Sequence, residues 1–336
     1  MRTERLFLLS YFILLSYSGF TQRIEILHAG NGASLRGLSA VSDNIVWVCG
    51  NKGTVGRSVD GGNKWDWIIV ANYGDRDFRD IEAFDKYTAV IMAVGEPALI
   101  LRTTDAGLTW KSVFVDERPG MFLDAMEFWN KESGIVIGDP VEGRFFVART
   151  FDNGANWRPV NYDKLPAADS GEACFAASGT NVRALDRNEA CFVTGGTRTR
   201  LFRKGTPGDV PVIHGKETQG ANSVAVWYRK VKRPYIAVVG GDFADVNSRE
   251  MNCAISMDGG ETWIVPSNPP FGYRSCVEYI TREKLVTCGV NGVDVSMDGG
   301  VNWNSVSSVG FHVCRKAKKG KKVFLAGSDG RVGVLR

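Results

Sequence analysis

An all-β fold, a closed ring of seven four-stranded blades, is predicted by three observations. A turn signature recurs five times, each copy sits in the same order of short strands, and one spare strand at the amino-terminal end completes the last unit. The signature is Ser/Thr-x-Asp-x-Gly-x-x-Trp. Its copies run from Ser58 to Trp65, Thr103 to Trp110, Thr150 to Trp157, Ser256 to Trp263 and Ser296 to Trp303. Successive tryptophans are 45, 47, 106 and 40 residues apart, and the long step is two steps of 53. A sixth, degenerate copy is therefore expected between the third and fourth, at Leu201 to Gly208. Glycine (39) and tryptophan (9) are abundant, as a chain of many turns with aromatic plugs requires.

The chemistry of the turn is local. The aspartate accepts hydrogen bonds from backbone N–H groups of a tight reversal. The glycine takes positive φ, and the tryptophan folds back as an apolar lid. Asp60, Trp65, Asp105, Trp110, Asp152, Trp157, Asp258, Trp263, Asp298 and Trp303 are accordingly read as structural fasteners rather than a catalytic set.

Around the second copy the unit reads "FRDIEAF", "TAVIMAVG", "ALILRT", turn, "WKSVFV": four strands in about 45 residues, the pattern of a propeller blade. Units are expected to begin near Leu35, Phe78, Phe122, Glu172, Ala221, Tyr273 and Phe311. The fifth carries an insert, "GGDFADVNSREMN". The seventh stops after three strands, and "RIEILHA" (residues 23–29) is the candidate for its fourth, so that the ring has no open sheet edge.

Residues 1–21 have the form of a secretory signal peptide, with basic Arg2 and Arg5, an apolar run from Leu6 to Leu15, and a cut expected between Thr21 and Gln22. Residues 22–336 form a single domain on this reading, periplasmic or secreted, and not an integral membrane protein after cleavage. Seven cysteines, Cys49, Cys174, Cys191, Cys253, Cys276, Cys288 and Cys314, mostly lie in apolar strand-like runs. They are read as buried thiols, with a Cys276–Cys288 disulfide as the alternative. No cofactor and no metal are expected: there are three histidines and no ligand cluster. No phosphate loop occurs, and a net charge of +4 does not mark a nucleic-acid partner. The basic run from Arg315 to Lys322 is expected to be a solvated loop of the seventh unit.

The runs "GTVGRSVDGGNKW", "ALILRTTDAGLTW" and "NGVDVSMDGGVNW" resemble the Asp-box (BNR) repeat proteins, and within them the photosystem II stability and assembly factor-like proteins. The resemblance covers residues 23–336. It implies the propeller fold. It leaves the function open, since the wider family holds sialidases, other glycan-acting hydrolases and receptors.

Candidate ligand-binding residues come from aligning the units. Arg36, Arg79 and Arg274 fall at one repeat position in "LRGL", "FRDI" and "YRSC", with Asp124 and His312 nearby, and three arginines on one rim would bind an anion. Glu96, Asp139 and Asp242 follow the second strand of their units and are the candidate catalytic acids, with Arg79 and Arg144 as possible ion-pair partners. The Arg-Ile-Pro start of sialidases is absent, since Arg36 precedes Gly-Leu and Arg79 precedes Asp-Ile. The expected function is a monomeric, non-catalytic scaffold binding an envelope or extracellular protein, or a glycan, in the manner of an assembly factor. The alternative is a glycosidase or lyase using the rim carboxylates.

Overall fold

A computed structural model describes residues 22–185, 189–228 and 233–336; the expected signal peptide lies outside them. The strands form seven antiparallel sheets around a central channel. In each blade we call the innermost strand A and the outermost D. Because the strands alternate in direction, A–B and C–D loops share one end of the ring. B–C loops and the links between blades share the other.

Blade 1 comprises Leu35–Ala40, Val46–Gly50, Thr54–Ser58 and Asp66–Ile69. Blade 2 runs from Asp77–Ala83 to Lys111–Asp116, blade 3 from Leu123–Phe128 to Arg158–Pro159, and blade 6 from Cys276–Tyr279 to Trp303–Ser307. Blade 7 has Val313–Lys316, Val323–Ala326 and Val332–Leu335, and its outermost strand is the amino-terminal Ile24–His28, antiparallel to Val332–Leu335. The ring is thus closed by the predicted strand.

Two units depart from expectation. The fourth blade begins at Val182, not near Glu172. Glu172–Ala173 instead pairs with Gly195–Gly196, which joins the sheet of blade 5. Glu172 is buried there in an ion pair with Arg200. The degenerate turn of blade 4 is a hairpin at Lys204–Gly205. In blade 5 (A strand Gln219–Trp227) the fourth strand is reduced to a bridge between Ile255 and Ile264.

The core lies between blades. Alternate residues of neighbouring sheets interleave, as where Val41, Trp47 and Cys49 of blade 1 meet Phe78, Ile81 and Ile91 of blade 2. All seven cysteines are buried and free; Cys276 and Cys288 face each other across two strands as thiols.

In all five signature turns the Ser/Thr hydroxyl and the Asp carboxylate accept backbone N–H bonds, and the indoles of Trp65, Trp110 and Trp303 close back on the turn glycine. In blade 1, Gly62 N–H donates to Ser58 Oγ (2.9 Å), Lys64 N–H donates to Asp60 Oδ1 (2.9 Å), and the Trp65 indole N–H donates to the Gly62 carbonyl (3.0 Å). The hydroxyl and N–H of Thr109 hold the Asp105 carboxyl below the usual carboxylate range, and Thr262 does the same for Asp258.

The channel is filled by the chain itself. Residues 174–181, which lead into blade 4, run through it. Arg36 and Arg79 donate to the carbonyls of Ala177 and Ala176 (both 3.1 Å), Ser178 Oγ donates to the Ser275 carbonyl (2.7 Å), and Thr180 Oγ1 donates to Ser223 Oγ (2.6 Å). Gly179 has φ +62° and lies against the Asp80 carboxyl, where a Cβ would clash. Below it Arg183 bridges Glu127 (3.1 Å) and Glu278 (3.2 Å), and Arg315 stands near the same two acids (3.9 and 3.7 Å). Arg315 is therefore a channel residue rather than part of a solvated loop, which spans only residues 317–322.

Candidate functional site

The plug leaves a cavity of about 530 Å³ open at the B–C end. Ala173 to Ala177 form its floor. Phe122, Phe175, Phe243 and Tyr273 give apolar walls, and Arg36, Arg79, Asp139 and His312 supply polar ones.

One backbone device places most of the polar set. Strand A of blades 1, 2, 3 and 5 shifts register at Arg36, Arg79, Asp124 and Asn222, each flanked by residues that pair on either side of a bulge. A bulge leaves one residue unpaired and re-aims its side chain. The same register position in blades 6 and 7 is held by Ser275 and His312, just before Cys276 and Val313, whose partners are Cys288 and Ala326. In blades 1, 3, 5 and 6 strand B approaches closely and a glycine stands opposite this point, whereas blade 2 has Ala93 there. A Cβ on Gly50 or Gly289 would strike the carbonyl oxygen of Ser34 or Tyr273.

Arg274 is consequently displaced from the rim on which the sequence placed it. It precedes the repeat position by one residue, and a one-residue slip turns a side chain to the opposite face. It is 1% exposed and pairs with Asp294 (2.6 Å), with further bonds to Asn291 Oδ1 (2.6 Å) and the Tyr273 carbonyl (2.9 Å). Ser275 lines the cavity in its stead.

The expected acids separate as well. Glu96 accepts a hydrogen bond from Gly120 N–H, within a loop that does not line the cavity. Asp242 is held by Gln219 Nε2 (3.1 Å) and Ala244 N–H (2.9 Å), also away from it. Arg144 pairs with neither: it donates to the Leu165 carbonyl and lies over the Tyr162 ring. Asp139 does reach the cavity, accepting from Cys174 N–H (2.9 Å). Its neighbour is Asp124, which is fully buried. Backbone N–H groups of Asp139 and Ala176 approach the Asp124 carboxyl without reaching hydrogen-bond geometry. Burial, then the adjacent Asp139, pushes Asp124 well above the usual range, and burial raises Asp139 to about 6.

His312 Nε2 sits between the hydroxyls of Ser34 (3.3 Å) and Ser328 (3.1 Å). Burial, reinforced by the guanidinium groups of Arg36, Arg79 and Arg331, lowers its pKa to about 3, so the ring is neutral. Arg79 pairs with Asp77 (2.8 Å). Arg36 has no ion-pair partner among the described residues; burial and then Arg79 lower its pKa. The cavity thus presents guanidinium charge beside neutral polar groups, apolar walls and one carboxyl. Asn222, Ser275 and the plug carry no sequence motif, but the B-strand glycines Gly240 and Gly289, at the register position that Gly50 holds in blade 1 and Gly138 in blade 3, would have located the first two.

Residues 31–332 match the family of the photosynthesis system II assembly factor YCF48. No curated protein matches the sequence at a significant level. Among solved structures the chain is similar to YCF48 bound to D1 peptide, at 18% identity over 95% of this chain and 96% of that one, with a TM-score of 0.62. YCF48 from Cyanidioschyzon merolae gives 15% identity, 94% and 99% coverage, and a TM-score of 0.62. The Neurospora crassa Pan2 WD40 domain gives 13%, 90% and 89%, and 0.60. The structural likenesses show the shared propeller fold, and the sequence match shows more: the chain belongs to the photosynthesis system II assembly factor YCF48 family.

Proposed function

We propose that this protein is a non-catalytic binding propeller that holds a carboxylate-bearing segment of a protein partner in the cavity between Arg36 and Arg79. The observation that carries the reading is the Arg36 guanidinium, which lines the cavity beside a second guanidinium without an ion pair of its own among the described residues. An incoming carboxylate supplies that missing charge, and a guanidinium can hold it in paired hydrogen bonds. The apolar walls accommodate the flanking side chains of an extended segment. That a related YCF48 structure carries a D1 peptide supports a peptide as the ligand class.

The carboxyl groups argue in the same direction. Glycoside hydrolysis uses two acids flanking the scissile bond. Here Glu96 is outside the cavity, and the carboxyl next to Asp139 is sealed from solvent. An acidic glycan is the other ligand the arginines and aromatic walls would accept. The amino-terminal apolar run supports an exported, envelope-located assembly role.

The test is a peptide array in paired free-acid and amidated forms. Retention of free-acid or Asp/Glu-bearing peptides, lost in Arg36→Ala, is expected. Retention indifferent to the carboxylate, or unchanged in Arg36→Ala, refutes the reading.

A further inference from the structure

The end of the ring opposite the cavity carries two features that the binding reading leaves unused. The first is the A–B loop of blade 7. It is pinned rather than free: Lys318 and Lys319 N–H donate to the carbonyls of Ala40 and Val41, and Lys321 and Lys322 N–H both donate to Asp43 Oδ1 (2.8 Å). Gly320 lies so close to the Asp43 carboxyl that a Cβ would clash. The loop therefore holds Lys318, Lys319 and Lys321 outward and exposed. Lys318 is paired with Glu82, whereas Lys319 and Lys321 have no ion pair among the described residues. Acids at this end include Asp43 as above, Asp85, bound to the N–H groups of Tyr87 and Thr88, Glu283, paired with Arg282, the five turn aspartates, bound within their own turns, and the exposed Glu132.

The second feature is apolar. Four of the five signature turns hydrogen-bond to the A–B loop of their own blade, Gly61 to Asn44, Ala106 to Tyr87, Asn153 to Glu132 and Gly299 to Glu283, so turns and loops make one layer there. The turns carry exposed apolar side chains into that layer. Val59, Phe151, Met257 and Met297 share the second position of the signature, and Leu108 takes over in the turn where that position is Thr104. Leu108 is 80% exposed and Met297 59%. Scattered single apolar residues are ordinary on a surface. Their recurrence at one repeat position, on the end that also bears unpaired lysines, is not scatter.

We infer that this end docks on an anionic phospholipid bilayer. Lys316 and Lys318 border a pocket beside Arg183 and Trp227, whereas Lys319 and Lys321 stand outside it, and lysines spaced along a rigid loop outside any pocket suit a diffuse sheet of negative charge. A soluble polyanion would use the lysines but has no need of the apolar tips, which can enter the headgroup region. Docked this way, the protein presents its cavity away from the membrane.

The test is co-sedimentation of the full chain with vesicles of phosphatidylcholine alone and of phosphatidylcholine with phosphatidylglycerol at 7:3. Any contribution of the amino-terminal apolar run is common to all variants and both vesicles, so the ratio of the two partition coefficients is read. The wild type should favour the anionic vesicles by about 20-fold or more, falling with salt, and Lys319→Glu/Lys321→Glu should abolish the preference. Phe151→Ser/Met297→Ser should lower partitioning to both vesicles at least about threefold, since each tip loses buried apolar area. No anionic preference, or one kept by the lysine variant, overturns the proposal. So does an unchanged apolar variant, most plainly if heparin binds with the same lysine dependence, since that assigns the face to a soluble polyanion. All four positions are exposed, and an unchanged thermal midpoint verifies that each variant is folded.

Discussion

Replacing Arg274 by alanine should damage the fold and leave the cavity intact, although the sequence places this arginine beside Arg36 and Arg79. The guanidinium is buried, and Asp294, its partner, is wholly inaccessible. Asp294 Oδ2 accepts from Arg274 Nε (2.7 Å) and Phe271 N–H (3.0 Å), while Oδ1 has no partner. Removing Arg274 leaves that carboxylate without its counter-charge and strips donors from Asn291 Oδ1 and the Tyr273 carbonyl. Breaking a buried pair from one side costs about 3–5 kcal/mol. For a domain of this size that is a fall of roughly 5–8 °C in melting temperature. Urea titration followed by tryptophan fluorescence measures it. Arg274→Met/Asp294→Leu should recover at least half of the loss, because an apolar pair leaves no buried charge. A loss below about 1 kcal/mol for Arg274→Ala, under a typical charged hydrogen bond, would refute the placement of this side chain. So would normal stability combined with lost ligand binding.

The remaining predictions concern the ring. Asp105→Ala should cost about 1.5–3 kcal/mol, the worth of hydrogen bonds to a charged acceptor, by chemical denaturation. Asp298→Ala, in a distant turn, should add to it within about 0.5 kcal/mol; strong coupling would show that the turns are not independent fasteners. Gly289→Ala should lose about 1–3 kcal/mol, because its Cβ meets the Tyr273 carbonyl, whereas a neutral result would deny the close approach that sets the register. For pH, the turn aspartates titrate below their unfolded values near 4, so their contribution is present above about pH 4 and lost as pH falls through the folded values. Asp80 and Asp139 are raised by burial to about 7 and about 6, so their contribution is full below about pH 4 and lost as pH rises through those values. The urea midpoint should therefore be higher at pH 5 than at pH 8, and a steady rise over that interval would contradict the signs.

The ring was legible because its information is periodic. Five turns repeat the hydrogen bonds of the Ser/Thr hydroxyl and the Asp carboxylate, the strands between them alternate, and Ile24–His28 is the strand that completes the last blade. The site was legible only where the side chain and the register agree. Arg36 and Arg79 stand at bulges and reach the cavity. Arg274 breaks the alternation that would have exposed its position, since a buried ion pair places a charge where blade 1 has Leu35. The plug was not legible at all. "CFAASGT" is a run of mostly small residues without period, and only its contacts with six other blades reveal that it crosses the channel. The same holds for the fourth blade, whose start was read ten residues early because the segment before it contains a short strand of another sheet.

The most direct test of the cavity's role is a double-mutant cycle between protein and ligand. One side is Arg36→Gln, and the other is the amidated form of the tightest-binding free-acid peptide, with all four dissociation constants measured by calorimetry. A guanidinium that takes the ligand carboxylate predicts a coupling of about 1.5–3 kcal/mol, the worth of a charged hydrogen bond. A coupling near zero, with Arg36→Gln binding both peptides as the wild type does, would contradict the account.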